Sequence, residues 1–242
     1  MMKYLLLIYS AESVWTEESR AACMVESMGI GLELAKQNKF ITSAPLQYVA
    51  TAKTVKVVEN ETVHTTGPFM ETIEHLGGFY VLDLPHLDEA IQVACRLPPA
   101  KKGTVEIRPL QKGSLDTNLS TQGIDLVHVD QPAYMLMQYG GQTVSALDQH
   151  ACWSLVNDCH LILQLPLCPA SSATSAQVRP EGRRISDGAC DEASEQLNHM
   201  VILKANHTSE VQAVAESLAR QFSGTWEIRP LFDLRPIANQ VS

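Results

Sequence analysis

Two residues in the second half of the chain have the chemistry of a proton relay. Asp187 stands directly before Gly188, and His199 opens a run of apolar residues, Met200-Val201-Ile202-Leu203. An aspartate acts as a general base or substrate anchor when burial or a neighbour brings its pKa toward working pH. A histidine of near-neutral pKa can pass the proton on. Plainer readings stand beside these. Asp-Gly is also a turn, with the carboxylate accepting backbone hydrogen bonds and the glycine supplying positive φ, and a strand histidine can face solvent. A relay requires a donor such as His199, Arg183 or Arg184 within about 4 Å of the Asp187 carboxylate, because a lone charge in a cleft is costly. His150 and His160 are further candidates of the same kind.

Other chemistry is less sharply marked. Glu106 and Arg108, and again Glu227 and Arg229, alternate with apolar neighbours, so each pair lies on one strand face. A structural ion pair with a neighbouring strand or helix is the plainer use of these residues, and an arginine gripping an anion is the alternative. Cys152, Cys159 and Cys168 lie close to several histidines but lack the short paired spacing of zinc ligands, so no metal is expected. There is neither a GxGxxG run nor a P-loop, and a cofactor-independent protein is expected.

What must position these residues is a duplicated domain. "GTVEIRPL" (103–110) returns as "GTWEIRPL" (224–231), and the similarity runs on upstream at a constant offset of 121. Pro45-Leu46 meets Pro166-Leu167, Gly67 meets Gly188, Glu71 meets Glu192, and Leu76, Leu82, Glu89, Ala94 and Leu97 meet identical residues. "KYLLLIY" (3–9) corresponds to "AYMLMQY" (133–139) at a larger offset, so the second copy is shorter before Pro166. The reading is two domains, 1–111 and 132–242, each large enough for its own core, joined by a Gly-, Ser- and Thr-containing linker over 112–131.

Within a copy the pattern is strand, helix, strands, helix, strand. Residues 3–9 are a continuous apolar strand, and 17–37 form a helix with Thr16 as N-cap. "FITSAPL", "KTVKVV", "VHTT" and "GGFYVLDL" are strands, "LDEAIQVACRL" is an amphipathic helix stopped by Pro98-Pro99, and "TVEIRPL" is the last strand. This is an α+β pattern of the ferredoxin-like kind, with helices on one face of an antiparallel sheet. The two copies then cover each other sheet to sheet as an internal pseudo-dimer, each "EIRPL" closing the sheet of its own copy. A further homodimer is compatible with this.

The chain is 45% hydrophobic and 19% charged, with a net charge of −9. That balance argues against nucleic acid as a partner. An RNA-recognition module shares the topology, but such a module stacks bases on strand aromatics within a basic surface, and this acidic chain, with "TVEIRPL" and "TWEIRPL" as last strands, carries no RNP-type run. No apolar stretch reaches the length of a spanning helix. The opening "MMKYLLLIYSA" resembles a signal peptide but recurs mid-chain as a strand, and the six unpaired-looking cysteines suit a reduced, cytoplasmic protein.

Residues 65–110, "TTGPFMETIEHLGGFYVLDLPHLDEAIQVACRLPPAKKGTVEIRPL", resemble the YCII-related proteins and their D-G-P-F-x-E-[ST]-K-E subgroup. The resemblance implies a dimeric α+β barrel. It also implies either cofactor-free lyase-type chemistry with an Asp/His pair or a role beside extracytoplasmic-function sigma factors. Carried over by motif, the substrate-binding candidates are Gly67, Pro68, Phe69 and Glu71 in the first copy and Gly188 and Glu192 in the second. The signature Asp is Thr66 in the first copy and is kept as Asp187 in the second. The second copy in turn departs from the motif at Ala189, Cys190, Asn198, His199 and Met200.

Two functions follow as expectations. One is a small lyase or isomerase moving a proton on a small organic molecule, with Asp187 as base and His199 as relay. The other is a non-catalytic ligand-binding or regulatory module, for example one associated with a sigma factor. Gly77-Gly78 should leave room over the first sheet, with Phe69 and Phe79 as an apolar wall, whereas Asn198 and His199 fill the same space in the second copy. The functional site is therefore expected in the second copy.

Overall fold

A computed structural model of the chain describes residues 2–70, 72–113, 124–126, 130–141, 159–190 and 195–238. Strands β1 (Met2–Ser10), β2 (Phe40–Pro45), β3 (Lys53–Val58), β4 (Glu61–Thr66), β5 (His75–Leu84) and β6 (Thr104–Pro109) belong to the first half, with helices α1 (Glu17–Lys36) and α2 (Leu87–Arg96). The second half contributes β7 (Ala133–Tyr139), β8 (His160–Pro166), β9 (Thr174–Arg179), β10 (Gly182–Asp187), β11 (Leu197–Lys204) and β12 (Thr225–Pro230). Its helices are α3 (Thr208–Phe222) and the short α4 (Arg235–Ala238). Thr16 caps α1, its side chain accepting from the Ser19 N–H, and no described helix is long and apolar enough to cross a membrane.

The strands form two six-stranded antiparallel sheets, in the orders β10-β9-β6-β1-β5-β2 and β4-β3-β12-β7-β11-β8. Alternation along each strand sorts the side chains between two sides. On β1, Leu5 and Leu7 point into a core shared with Met135, Met137, Met200 and Ile202 of the other sheet. Tyr4, Leu6 and Ile8 point the opposite way, toward Ile30 and Leu34 of α1 and Val93 of α2. On the second sheet, Tyr134 and Leu136 pack against Val211, Ala215 and Leu218 of α3. The layers are thus helix, sheet, sheet, helix, an α+β barrel of the dimeric kind built within one chain.

The edges differ from the expectation that each "EIRPL" strand closes its own sheet. β6 lies between β1 and the β9–β10 hairpin of the other half, with Glu106 opposite Ser175. β12 likewise lies between β7 and the β3–β4 hairpin, with Glu227 opposite Thr54. Each half lends a hairpin to the other's sheet. The repeated eight-residue segment supplies in each copy a six-residue strand that joins the two halves, and a strand that must pair on both edges is a central one, buried along its length.

The connecting chains cross with the same reciprocity. Gln47 N–H donates to Pro230 O and Phe232 N–H to Pro45 O. Gln111 N–H donates to Pro166 O and Cys168 N–H to Pro109 O. Most of the linker expected over 112–131 lies outside the described residues. Ile124 runs along β2, its N–H donating to Ile41 O at 2.7 Å and its carbonyl accepting from the Thr42 hydroxyl at 2.8 Å.

Candidate functional site

The signature segments follow immediately from the exchanged hairpins. After β4 the chain turns at Gly67, whose φ of 111° lies in the region that favours glycine. Gly67 N–H donates to Ala52 O at 2.9 Å, and its carbonyl accepts from the Thr54 hydroxyl at 2.9 Å. After β10 the same turn recurs at Gly188 (φ 93°), with Gly188 N–H on Ala173 O at 2.8 Å and the Ser175 hydroxyl on Gly188 O at 2.9 Å. Each turn aims the next backbone at a carboxylate of the opposite half: Phe69 N–H donates to Glu227 Oε2 at 2.9 Å, and Cys190 N–H to Glu106 Oε2 at 3.0 Å.

Those carboxylates belong to buried ion pairs. Arg108 Nε and Nη2 donate to Glu106 Oε1 at 2.9 and 2.5 Å, and Nη1 donates to Leu197 O at 3.0 Å and Cys168 O at 3.3 Å. The second pair is looser: Arg229 Nη1 reaches Glu227 Oε1 at 3.4 Å, Nη2 donates to Gln47 O, and Nε has no hydrogen-bond partner among the described residues. Each pair lies within its own strand, two residues apart, and the neighbouring elements contribute backbone groups. Burial pushes the Glu227 carboxyl above its ordinary range, opposed by the Phe69 N–H and Arg229. The Phe69 ring rests on Tyr139, ring centres 5.2 Å apart, within the intersheet core. Gly67 and Phe69, expected to hold substrate, here clasp the two halves together, while Glu71 and Glu192 lie outside the described residues.

Asp187 and His199 are not brought together. Asp187 ends β10 at the edge of the first sheet, in a strand exposed along its whole length, and among the described residues no histidine or arginine pairs with its carboxylate. Arg183 and Arg184 are exposed on the same strand. His199 lies on β11 of the other sheet and is fully buried. The expected relay therefore lacks its geometry, and the turn geometry at Gly188 is what Asp187-Gly188 supplies. Replacing Asp187 by Asn should change stability by no more than about 0.5 kcal/mol, as for exposed residues generally; a thermal or urea unfolding curve checks this.

His199 stands opposite Gln138 of β7, and the next strand carries Trp226, opposite Gln138 in turn. The His199 and Trp226 ring centres are 6.3 Å apart, and Gln138 Nε2 donates to the carbonyls of Phe222 and Ser223 at the end of α3. Among the described residues neither imidazole nitrogen has a hydrogen-bond partner. Burial lowers its pKa to about 3, so the ring is neutral at physiological pH.

The corresponding position of the first half is Gly78, and there the sheet is open. Between α1 and the first sheet lies a cavity of about 100 Å³, lined by Ile8, Met24, Ser27, Met28, Gly77 and Tyr80 among others. Its origin is legible in both walls. The N-terminal half of α1 has no buried residue, and only Ile30, Gly31 and Leu34 near its C-terminus pack tightly. On the sheet, Gly78 cannot carry a side chain without cost, since a Cβ would stand 3.1 Å from Ala44 O and 3.3 Å from Pro45 Cα. The Tyr80 hydroxyl donates to Ser27 O at 2.8 Å and ties the floor to the helix. At the mouth are Glu12, Arg20, Gln47 and His75, with Leu234 from the C-terminal segment of the other half.

The cavity thus lies in the first half, whereas a site was expected in the second. The glycine pair signals this room in the sequence, but nothing there marks Glu12, Trp15 or Arg20 as its neighbours. Among the described residues no group of three or more His, Cys, Asp or Glu could hold a metal ion, and Cys23, Cys95 and Cys168 are free thiols.

Among solved structures, the chain is similar to a heme-binding protein from Thermus thermophilus, at 10% identity with a TM-score of 0.43. That alignment covers 99% of this chain and 94% of that one. A mutant chlorite dismutase from Candidatus Nitrospira defluvii in complex with cyanide aligns over the same shares, at 11% identity and a TM-score of 0.44. Likeness at these scores says nothing about what this chain binds. An uncharacterised protein of Rhizobium meliloti (strain 1021) is 35% identical over 114 residues, which is 45% of this chain and 92% of that protein. Residues 2–112 match the model of the YCII-related domain, and with that relative covered over nearly its whole length the chain belongs to the YCII-related family.

Proposed function

We propose that the chain is a non-catalytic binding module that holds one small, largely apolar molecule in the cavity between α1 and the first sheet. The observation that carries this reading is the cavity itself, roofed by a half-helix without buried residues and floored where Gly77 and Gly78 withhold side chains. A hydrocarbon-lined void of similar order, about 150 Å³, takes a benzene-sized guest. Met24 and Met28 are the wall residues best able to adapt to one, being unbranched and polarizable. The separation of Asp187 from His199 removes the support for a proton relay. The tandem copy then serves to complete the first half, through the lent hairpin and through Leu234.

The test is a toluene titration followed through the methionine methyl resonances. Saturable shifts of Met24 and Met28 are expected with a Kd of about 0.1–1 mM, roughly 0.6–0.8 kcal/mol per heavy atom and inside the ceiling for small ligands. Ser27→Leu, which fills the cavity while leaving the Ser27 carbonyl to Tyr80, should abolish them. Shifts that survive Ser27→Leu, or that spread over the surface without saturating, would overturn the reading.

A further inference from the structure

Arg20 is held in a way that the apolar cavity alone does not account for. Its guanidinium carbon stands 3.9 Å from the centre of the Tyr48 ring and 5.7 Å from that of Phe232, and Nη2 donates to Leu46 O at 3.0 Å. Tyr48 is fixed in turn by its hydroxyl, which donates to Glu17 Oε1 at 2.6 Å. Phe232 is fixed by its N–H on Pro45 O. The arginine is therefore preorganised from both halves of the chain, on the cavity lining, with its Nε and Nη1 donors making no hydrogen bond among the described residues. A guanidinium that presents spare donors in a rigid fork suits a carboxylate.

The remaining charges at the mouth agree. Among the described residues Glu12 is the one carboxylate in the lining, and its Oε1 accepts the Val49 N–H at 2.6 Å, which engages part of its charge with backbone. Lys102 adds a second cation nearby, its Nζ standing 4.3 Å from the centre of the Trp15 ring. Burial raises the Cys23 thiol; the Ser27 hydrogen bond opposes this, Glu26 adds to it, and Lys102 and Arg20 act in the opposite direction, so one anion and both cations reach this part of the lining. The lining also holds the apolar Ile8, Met24, Met28 and the Tyr80 ring.

We propose that Arg20 fixes an anionic head group, so that the molecule taken up is a small carboxylic acid with an apolar or aromatic body lying beneath α1. This rests on the cavity reading above. It adds the head group and its partner.

The experiment compares benzoate with benzyl alcohol by calorimetry and by methionine methyl shifts, in the full chain and in Arg20→Met, Arg20→Lys and Glu12→Gln. Benzoate should bind the parent chain about 10- to 100-fold more tightly than benzyl alcohol, the range of a charge-assisted pair. Arg20→Met should remove that preference while changing benzyl alcohol binding by less than about 3-fold. Arg20→Lys keeps the charge without the fork and should retain part of the preference, which keeps the test decisive if Arg20→Met does not fold. Glu12→Gln, which leaves an acceptor for the Val49 N–H, should tighten benzoate alone. Equal binding of the two probes to the parent chain, or equal losses of both in Arg20→Met and Arg20→Lys, would overturn the head-group assignment and leave the cavity reading standing. No binding of either probe, together with a failed toluene titration, would overturn both.

Discussion

Replacing Arg108 by Leu should cost about 3–5 kcal/mol of stability, the penalty of leaving one member of a buried ion pair without its partner. Arg108 and Glu106 are both about 1% exposed. Without the guanidinium, Glu106 would keep only the Cys190 N–H, while Leu197 O and Cys168 O would lose a donor. The affected groups come from β6, from β11 and from the segments flanking the lent hairpin, so the loss falls on the junction between the halves. Urea unfolding should show a lower midpoint with an unchanged slope if the two halves still unfold together. Removing both charges, in Glu106→Leu with Arg108→Leu, should recover most of the loss, because well-packed apolar replacements of a buried pair are often neutral or better. Arg229→Leu should cost less than Arg108→Leu, since Arg229 makes one long contact to Glu227 and leaves its Nε unmatched. Arg96→Ala, at the exposed pair with Glu33, gives the surface scale of under about 1 kcal/mol. An Arg108→Leu cost no larger than that of Arg96→Ala would sink the clasp.

The continuous apolar runs in "KYLLLIY" and "AYMLMQY", the Thr16 cap and the Pro98-Pro99 stop were enough to place the first strand of each half and both helices of the first half, because each is a local preference. Strand exchange was not legible. A hairpin such as "KTVKVVENETVHTT" has the same periodicity whichever sheet it joins, and only the pairing of Thr54 with Glu227 assigns it. The buried state of Glu106 and Arg108 was hidden for the same reason: charge at alternate strand positions ordinarily marks a solvated face, and here two neighbours cover it. The Gly77-Gly78 pair did point to open space over the first sheet, but the residues around that space also come from α1, from the 3-10 turn at Glu12–Val14, from Leu46, Gln47 and Tyr48 after β2, and from the far C-terminus. Asp187 was conspicuous by type alone. Type carries a catalytic meaning only once a partner is near, and the partner named for it is in the other sheet.

His199 provides the clearest pH dependence. Its ordinary pKa of 6.5 is lowered to about 3 by burial, so between those values the unfolded chain binds a proton that the folded chain does not. Stability therefore falls as pH falls below about 6.5, by about 1.4 kcal/mol for each unit until the folded value is reached. At pH 4.5, two units below the unfolded value, the loss from this residue should be on the order of 2–3 kcal/mol. Glu227 acts with the opposite sign: its carboxyl is raised by burial, so the folded chain takes up that proton first and acidification adds stability there. The His199 share is isolated by comparing the parent chain with His199→Leu, in which the other titrating groups are unchanged. Near pH 7 the variant should be at least as stable as the parent, because it removes two ring nitrogens buried without partners. Between pH 7 and 4.5 the gap should widen by roughly 2–3 kcal/mol in favour of the variant, read from urea unfolding at each pH. A gap that stays constant within about 0.5 kcal/mol over that range would mean that the imidazole is solvated or paired in solution, and would reopen His199 as a group that can exchange protons. A widening gap means that the ring stays neutral throughout the physiological range, so the histidine that stands where the first half has Gly78 fills space beside Gln138 and Trp226 and carries no charge to a ligand.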